Sequence, residues 1–115
     1  MHHGPTGAAV QLNSRCRRSD DVPLSALLGH LLIGFTDREV LREERIALDR
    51  REALHAVLDA RLDGVPVRLG VYVLKKDGCV YDFTLVSAGG RFGVVEAEFD
   101  RFVRGFHALA GVAPN

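Results

Sequence analysis

The chain has 115 residues, 15 basic against 15 acidic side chains, 47% hydrophobic residues and no Trp. That length holds one core and leaves no room for a second. The zero formal charge supplies no broad electrostatic footprint for nucleic acid or an anionic membrane, and the aliphatic content argues against disorder. One α+β domain is expected over residues 8–110, between a disordered tail at 1–7 and a C-terminal tail at 111–115, with no nucleic-acid partner.

In chain order, Met1-His2-His3 offers an amine, two backbone nitrogens and an imidazole, a set that can hold Cu(II) in a square plane; incidental binding at a loose terminus is the expectation. Residues 1–20 lack a basic start, an apolar run and a cleavage site, which as written implies the cytoplasm, or the envelope if the start is truncated. From Ala8 to Asn13, Val10 and Leu12 alternate with Gln11 and Asn13, a short strand. Arg15, Arg17 and Arg18 are offset by Asp20 and Asp21, as in a solvated linker.

A helix is expected to begin near Val22, capped by Asp20 or Asp21 with Pro23 in its first turn. Leu24, Leu27, Leu28, Leu31 and Phe35 would form its apolar face, with Gly34 at its end. The apolar stretch Val22 to Phe35 is interrupted by Ser25, Gly29 and His30 and falls short of the roughly 20 residues a bilayer span needs. No integral membrane segment is expected.

Between Asp37 and Leu62, propensity and pattern disagree. REALHAVLDARL is rich in helix formers, yet Leu54, Ala56, Leu58, Ala60 and Leu62 alternate as a half-buried strand does. The turns decide. Asp63-Gly64 and Asp77-Gly78 suit two-residue hairpins with positive φ at both central positions. If the first sets Leu62 opposite Val65, the facing pairs become Ala60 with Val67, Leu58 with Leu69, Ala56 with Val71 and Leu54 with Val73, all apolar. The second sets Lys76 opposite Cys79, so that Leu74 meets Tyr81, Tyr72 meets Phe83 and Gly70 meets Leu85 on the other face. Leu41 to Leu48 is expected as an edge strand.

After the Gly-rich turn SAGGRFG, Val95, Phe99, Phe102, Val103 and Phe106 form the apolar stripe of a second helix. Its acidic residues come early and its basic ones late, which suits the helix dipole. Two apolar helices and a sheet apolar on both sides predict an antiparallel four- to five-stranded sheet with a helix on each face, an α/β/α sandwich.

Chemistry-bearing motifs are sparse. The hairpin register sets His55 opposite Tyr72 and beside Phe83, and Asp59 opposite Arg68 near Ser87. These five, His55, Asp59, Arg68, Tyr72 and Phe83, are the candidate ligand-binding residues; the competing reading is a cross-strand ion pair and a packed imidazole. Cys79 lies too far along the sheet from His55 for the imidazole to take its proton. His30 and His107 lack partners at ligand spacing. SAGGRFG matches neither phosphate-loop fingerprint. No catalytic residue, metal or cofactor is expected. Cys16 and Cys79 have no CxxC spacing, and the sequence leaves open two free thiols or one bridge, which would add roughly 4 kcal/mol on the chain-entropy model.

The segments NSRC, PLSALLGHLLIGFTDREV, LDRREALHAVLDARLDGVPV, VYVLKKDGCVYDF and FDRFVRGF resemble a group of uncharacterised lipoproteins or exported proteins of deltaproteobacterial type. That group is similar in turn to the superfamily of PsbP and the Ran-release factor. The resemblance implies a PsbP-like sheet flanked by helices, action through a protein partner rather than catalysis, and, for an exported ancestor, a Cys16–Cys79 disulfide. It also implies further N-terminal strand in relatives and a flexible loop at SAGGRFG. The function expected is a non-enzymatic accessory module using a sheet face or the loop from Ala88 to Gly93. The rival is a small-molecule site or enzyme on the aromatic face, which needs that face open, and a third reading is a degenerate fragment unstable alone.

Overall fold

The computed structural model describes residues 2–3, 8–16, 22–48, 50–76 and 79–112, with the backbone alone at 2–3, 89 and 106–112. Asp20, Asp21, the Asp77-Gly78 dipeptide and the side chains of Met1, His2, His3, Phe106 and His107 lie outside the described parts, and so do the expectations placed on them. The strands are β1 (His2–His3), β2 (Ala8–Arg15), β3 (Phe35–Leu48), β4 (Arg51–Leu62), β5 (Val65–Lys76) and β6 (Cys79–Ser87). They form one antiparallel sheet in the order β1-β2-β6-β5-β4-β3. Helices α1 (Leu24–Leu31) and α2 (Gly89–Val112) cover opposite faces.

The hairpin arithmetic holds along its whole length. β4 and β5 pair from Leu62↔Val65 through Leu54↔Val73, and Asp63 and Gly64 take φ of 52° and 80°, the left-handed values a two-residue turn of this kind requires. β5 and β6 pair from Lys76↔Cys79 through Gly70↔Leu85. Because side chains alternate, this register sorts the core by chemistry. Leu54, Ala56, Leu58, Leu69, Val71 and Val73 bury an aliphatic face against Leu24, Leu27, Leu28 and Leu32. Tyr72, Leu74, Phe83 and Leu85 bury the other against Phe92, Val95, Phe99 and Val103. At roughly 1.5–3 kcal/mol for each large side chain removed from water, these two layers dominate the fold.

Element boundaries differ from expectation in instructive ways. Pro23, not an aspartate, is the residue before the first helix, and it makes no side-chain cap. Phe35, expected on that helix, opens β3, because the chain reverses through Leu32–Gly34 with Gly34 at φ 100°. β3 begins six residues earlier than Leu41. It carries two irregularities, at Thr36/Glu39 and Val40/Arg42, which let it bend along the sheet margin. The expected loop SAGGRFG is mostly helix: α2 starts at Gly89, leaving Ala88 as the link. The dipole argument for α2 therefore lapses, since neither the first turn holds an acid nor the last a base and the effect fades beyond those turns. Gly111 and Val112, expected in a tail, belong to this helix. Within the expected tail at 1–7, His2 and His3 pair with Ala9 and Ala8.

Candidate functional site

The five candidate residues occupy the face that α2 covers. β4 and β5 set His55 opposite Tyr72, and the two rings stack 4.1 Å apart and 9° from parallel. His55 is 6% exposed, with Nδ1 3.5 Å from a Glu44 carboxylate oxygen. Tyr72 lies under Phe99, with ring centres 5.7 Å apart, and its hydroxyl donates to Asp100 Oδ1 at 2.7 Å. Burial, followed by that bond, pushes the phenol well above the ordinary tyrosine range. Phe83 is fully buried and meets Phe102 edge-on at 6.2 Å. His55 Nδ1 and the Tyr72 hydroxyl thus each face a carboxylate of the protein itself.

Asp59 and Arg68 stand apart at the margin. Arg68 donates twice to the Asp59 carboxylate, at 2.7 and 3.0 Å, the bidentate fork that planar guanidinium favours. Those bonds hold the Asp59 carboxyl below the usual carboxylate range, against a smaller opposing effect of burial, and raise the Arg68 value. A cleft of about 320 Å³ opens beside them, lined also by Asp37, Arg61, Pro66 and Val67. The structure thus brings His55, Tyr72 and Phe83 together under the helix and leaves the Asp59–Arg68 pair accessible but mutually satisfied. Among the described residues no three His, Cys, Asp or Glu side chains gather as metal ligands.

Two features lie outside the sequence-based cluster. First, Cys16 and Cys79 are bridged, with Cα atoms 3.9 Å apart. The β2–β6 ladder ends at Arg15↔Val80, so the next facing pair is the disulfide itself. In the same ladder Asn13 Nδ2 donates to Asp82 Oδ1 at 3.1 Å. Asp82 is only 2% exposed, and desolvation raises its carboxyl above the ordinary value despite Asn13 and Arg15.

Second, a groove of about 390 Å³ runs between β2 and α2. Val10 and Leu12 form one wall, Leu85 the floor, and Val95, Phe99 and Phe102 the other wall, with Glu98 as the one charged lining residue among the described residues. Leu12 and Phe102 remain 45% and 42% exposed at its lips. Sequence reasoning assigned Leu12 to a strand and Phe102 to a helical stripe; it missed the groove because nothing local says that β2 pairs with β6. Among the described residues no helix is long and apolar enough to cross a membrane.

No protein-family model matches the chain, and no curated protein does. Solved structures do share the fold. PA94, a Pseudomonas aeruginosa protein of unknown function proposed as a regulator, superposes with a TM-score of 0.70 at 12% identity, over 84% of this chain and 69% of its own. The cyanobacterial PsbP (CyanoP) of Synechocystis sp. PCC 6803 gives 0.61 at 15% identity, over 82% of this chain and 63% of its own. The architecture is therefore PsbP-like, and at these identities the likeness concerns the fold.

Proposed function

We propose that the chain is a non-enzymatic accessory module of envelope-protein ancestry that holds a protein partner in the groove between β2 and α2. The observation that carries this reading is the pair of exposed apolar lips, Leu12 and Phe102, beside an apolar cleft. Contiguous exposed apolar surface of that kind marks interaction sites. The surfaces expected from sequence are taken, because α1 and α2 cover the two sheet faces and most of SAGGRFG is the first turn of α2. The disulfide suits an oxidising compartment, which supports the ancestry. A small-molecule reading of the aromatic face retains Asp59 and Arg68 alone, beside their own cleft.

Affinity capture from extracts of the native host, without reductant, tests the proposal. The wild-type chain is expected to recover a stoichiometric partner that Leu12→Lys with Phe102→Lys loses and Ile33→Lys, a distant exposed change, keeps. Absence of such a partner, or equal capture by the double variant, rejects it.

A further inference from the structure

We infer that the open edge of β2, from Gln11 to Arg15, takes an extended strand of a partner polypeptide, whose side chains on the α2 side fill the adjoining groove. The inference rests on the reading that the groove holds a protein partner, and adds how. β1 is two residues long and pairs at Ala8 and Ala9. Beyond it, Gln11 to Arg15 are paired with β6 on one side and with no strand on the other among the described residues. Such a row of outward N–H and C=O groups is matched in register only by another backbone.

The two sheet margins are treated differently. β3, at the far margin, is guarded: it has two irregularities and a dense run of charges at Arg38, Glu39, Arg42, Glu43, Glu44 and Arg45, both devices that discourage added strands. β2 from Gln11 to Ser14 carries neither. On an incoming strand every second side chain faces α2, and these fall between Leu12 and Phe102, into the apolar groove. Glu98 is its charged lining residue and makes no ion pair among the described residues. The matching segment therefore carries aliphatic or aromatic residues at alternate positions and a Lys or Arg at the groove mouth, main-chain bonds giving affinity and the groove selectivity. Glu98 also disfavours a second copy here, since two-fold pairing of β2 brings like carboxylates to one seam.

Random short peptides displayed on phage and selected on the oxidised protein are the probe. Selected peptides are expected to show the alternating apolar pattern with a basic residue, and to lose about tenfold in affinity when alternate backbone amides are N-methylated. Leu12→Asp and Phe102→Asp, each checked for an unchanged melting transition, are expected to weaken binding by about the same factor, and Ile33→Asp to leave it intact. Amide signals of Gln11 to Arg15 should shift on binding. Binding that depends on Leu12 but ignores N-methylation overturns strand addition and leaves the accessory reading standing. Failure to select any peptide overturns strand addition too, and the accessory reading falls only if host capture also fails. A dimer abolished by Leu12→Asp assigns the edge to a second copy and overturns the inference.

Discussion

Two aspartates on one sheet show how place decides chemistry. Asp59 faces a guanidinium across a ladder, so its folded pKa is depressed. Its contribution to stability is present above the unfolded aspartate value and lost as pH falls through the depressed one. The pair is partly solvated, which keeps that contribution within about 1 kcal/mol. Asp82 is buried with an amide, and its folded pKa is raised, so the sign reverses. Stability linked to Asp82 is full below the unfolded aspartate value and declines as pH rises through the higher folded value. Asp82→Asn, which keeps an acceptor for Asn13, is expected to raise stability at neutral pH by on the order of 1 kcal/mol. Urea unfolding at neutral pH and again near pH ~3, where the gain should vanish, checks this. A variant destabilised at neutral pH contradicts it. The facing of Asp59 and Arg68 was legible from one turn; the Asn13–Asp82 bond was not, because 69 residues separate its partners.

At the scale of elements, Gly70 sets how closely α2 approaches the sheet. A β-carbon there would stand 3.1 Å from Phe92 Cζ, close enough that the Phe92 ring must shift, and 3.7 Å from a Phe99 ring atom, an ordinary contact. Gly70→Val is expected to cost about 1–3 kcal/mol, the usual penalty of overpacking, read as a lower denaturation midpoint with Phe92 displaced in its side-chain spectrum. Unchanged stability would mean that α2 is not seated by this contact. The β4–β5 hairpin was readable in register because Asp63-Gly64 tolerates left-handed backbone, and the β5–β6 register follows the same two-residue spacing. The β3–β4 hairpin was not readable: it closes at Leu48↔Arg51 with Arg50 itself at φ 62°, a conformation uncommon for arginine that no local signal announces.

For the whole molecule, the long tie is the disulfide. β2 enters the sheet beside β6, the last strand, and the bridge closes a separation of 63 residues. Replacing both cysteines with serine is expected to lower unfolding free energy by about 4 kcal/mol on the chain-entropy account, with a cooperative transition retained at a lower midpoint. Loss of cooperativity would show instead that β2 and its groove depend on the bridge for their structure.

The sequence by itself determined the pairing of residues 54 to 85, the division of the sheet into an aliphatic and an aromatic side, and the need for a helix on each. Those features follow from turns and alternation, which are local. Tertiary structure alone decided that β2 docks on β6, that α2 begins at Gly89 and that a groove opens between Leu12 and Phe102; it also closed the Cys16–Cys79 bridge, which the resemblance implied and the residues by themselves left open. Each of these joins segments far apart in the chain, where no short-range steric rule selects the partner and only the closing of the common core does.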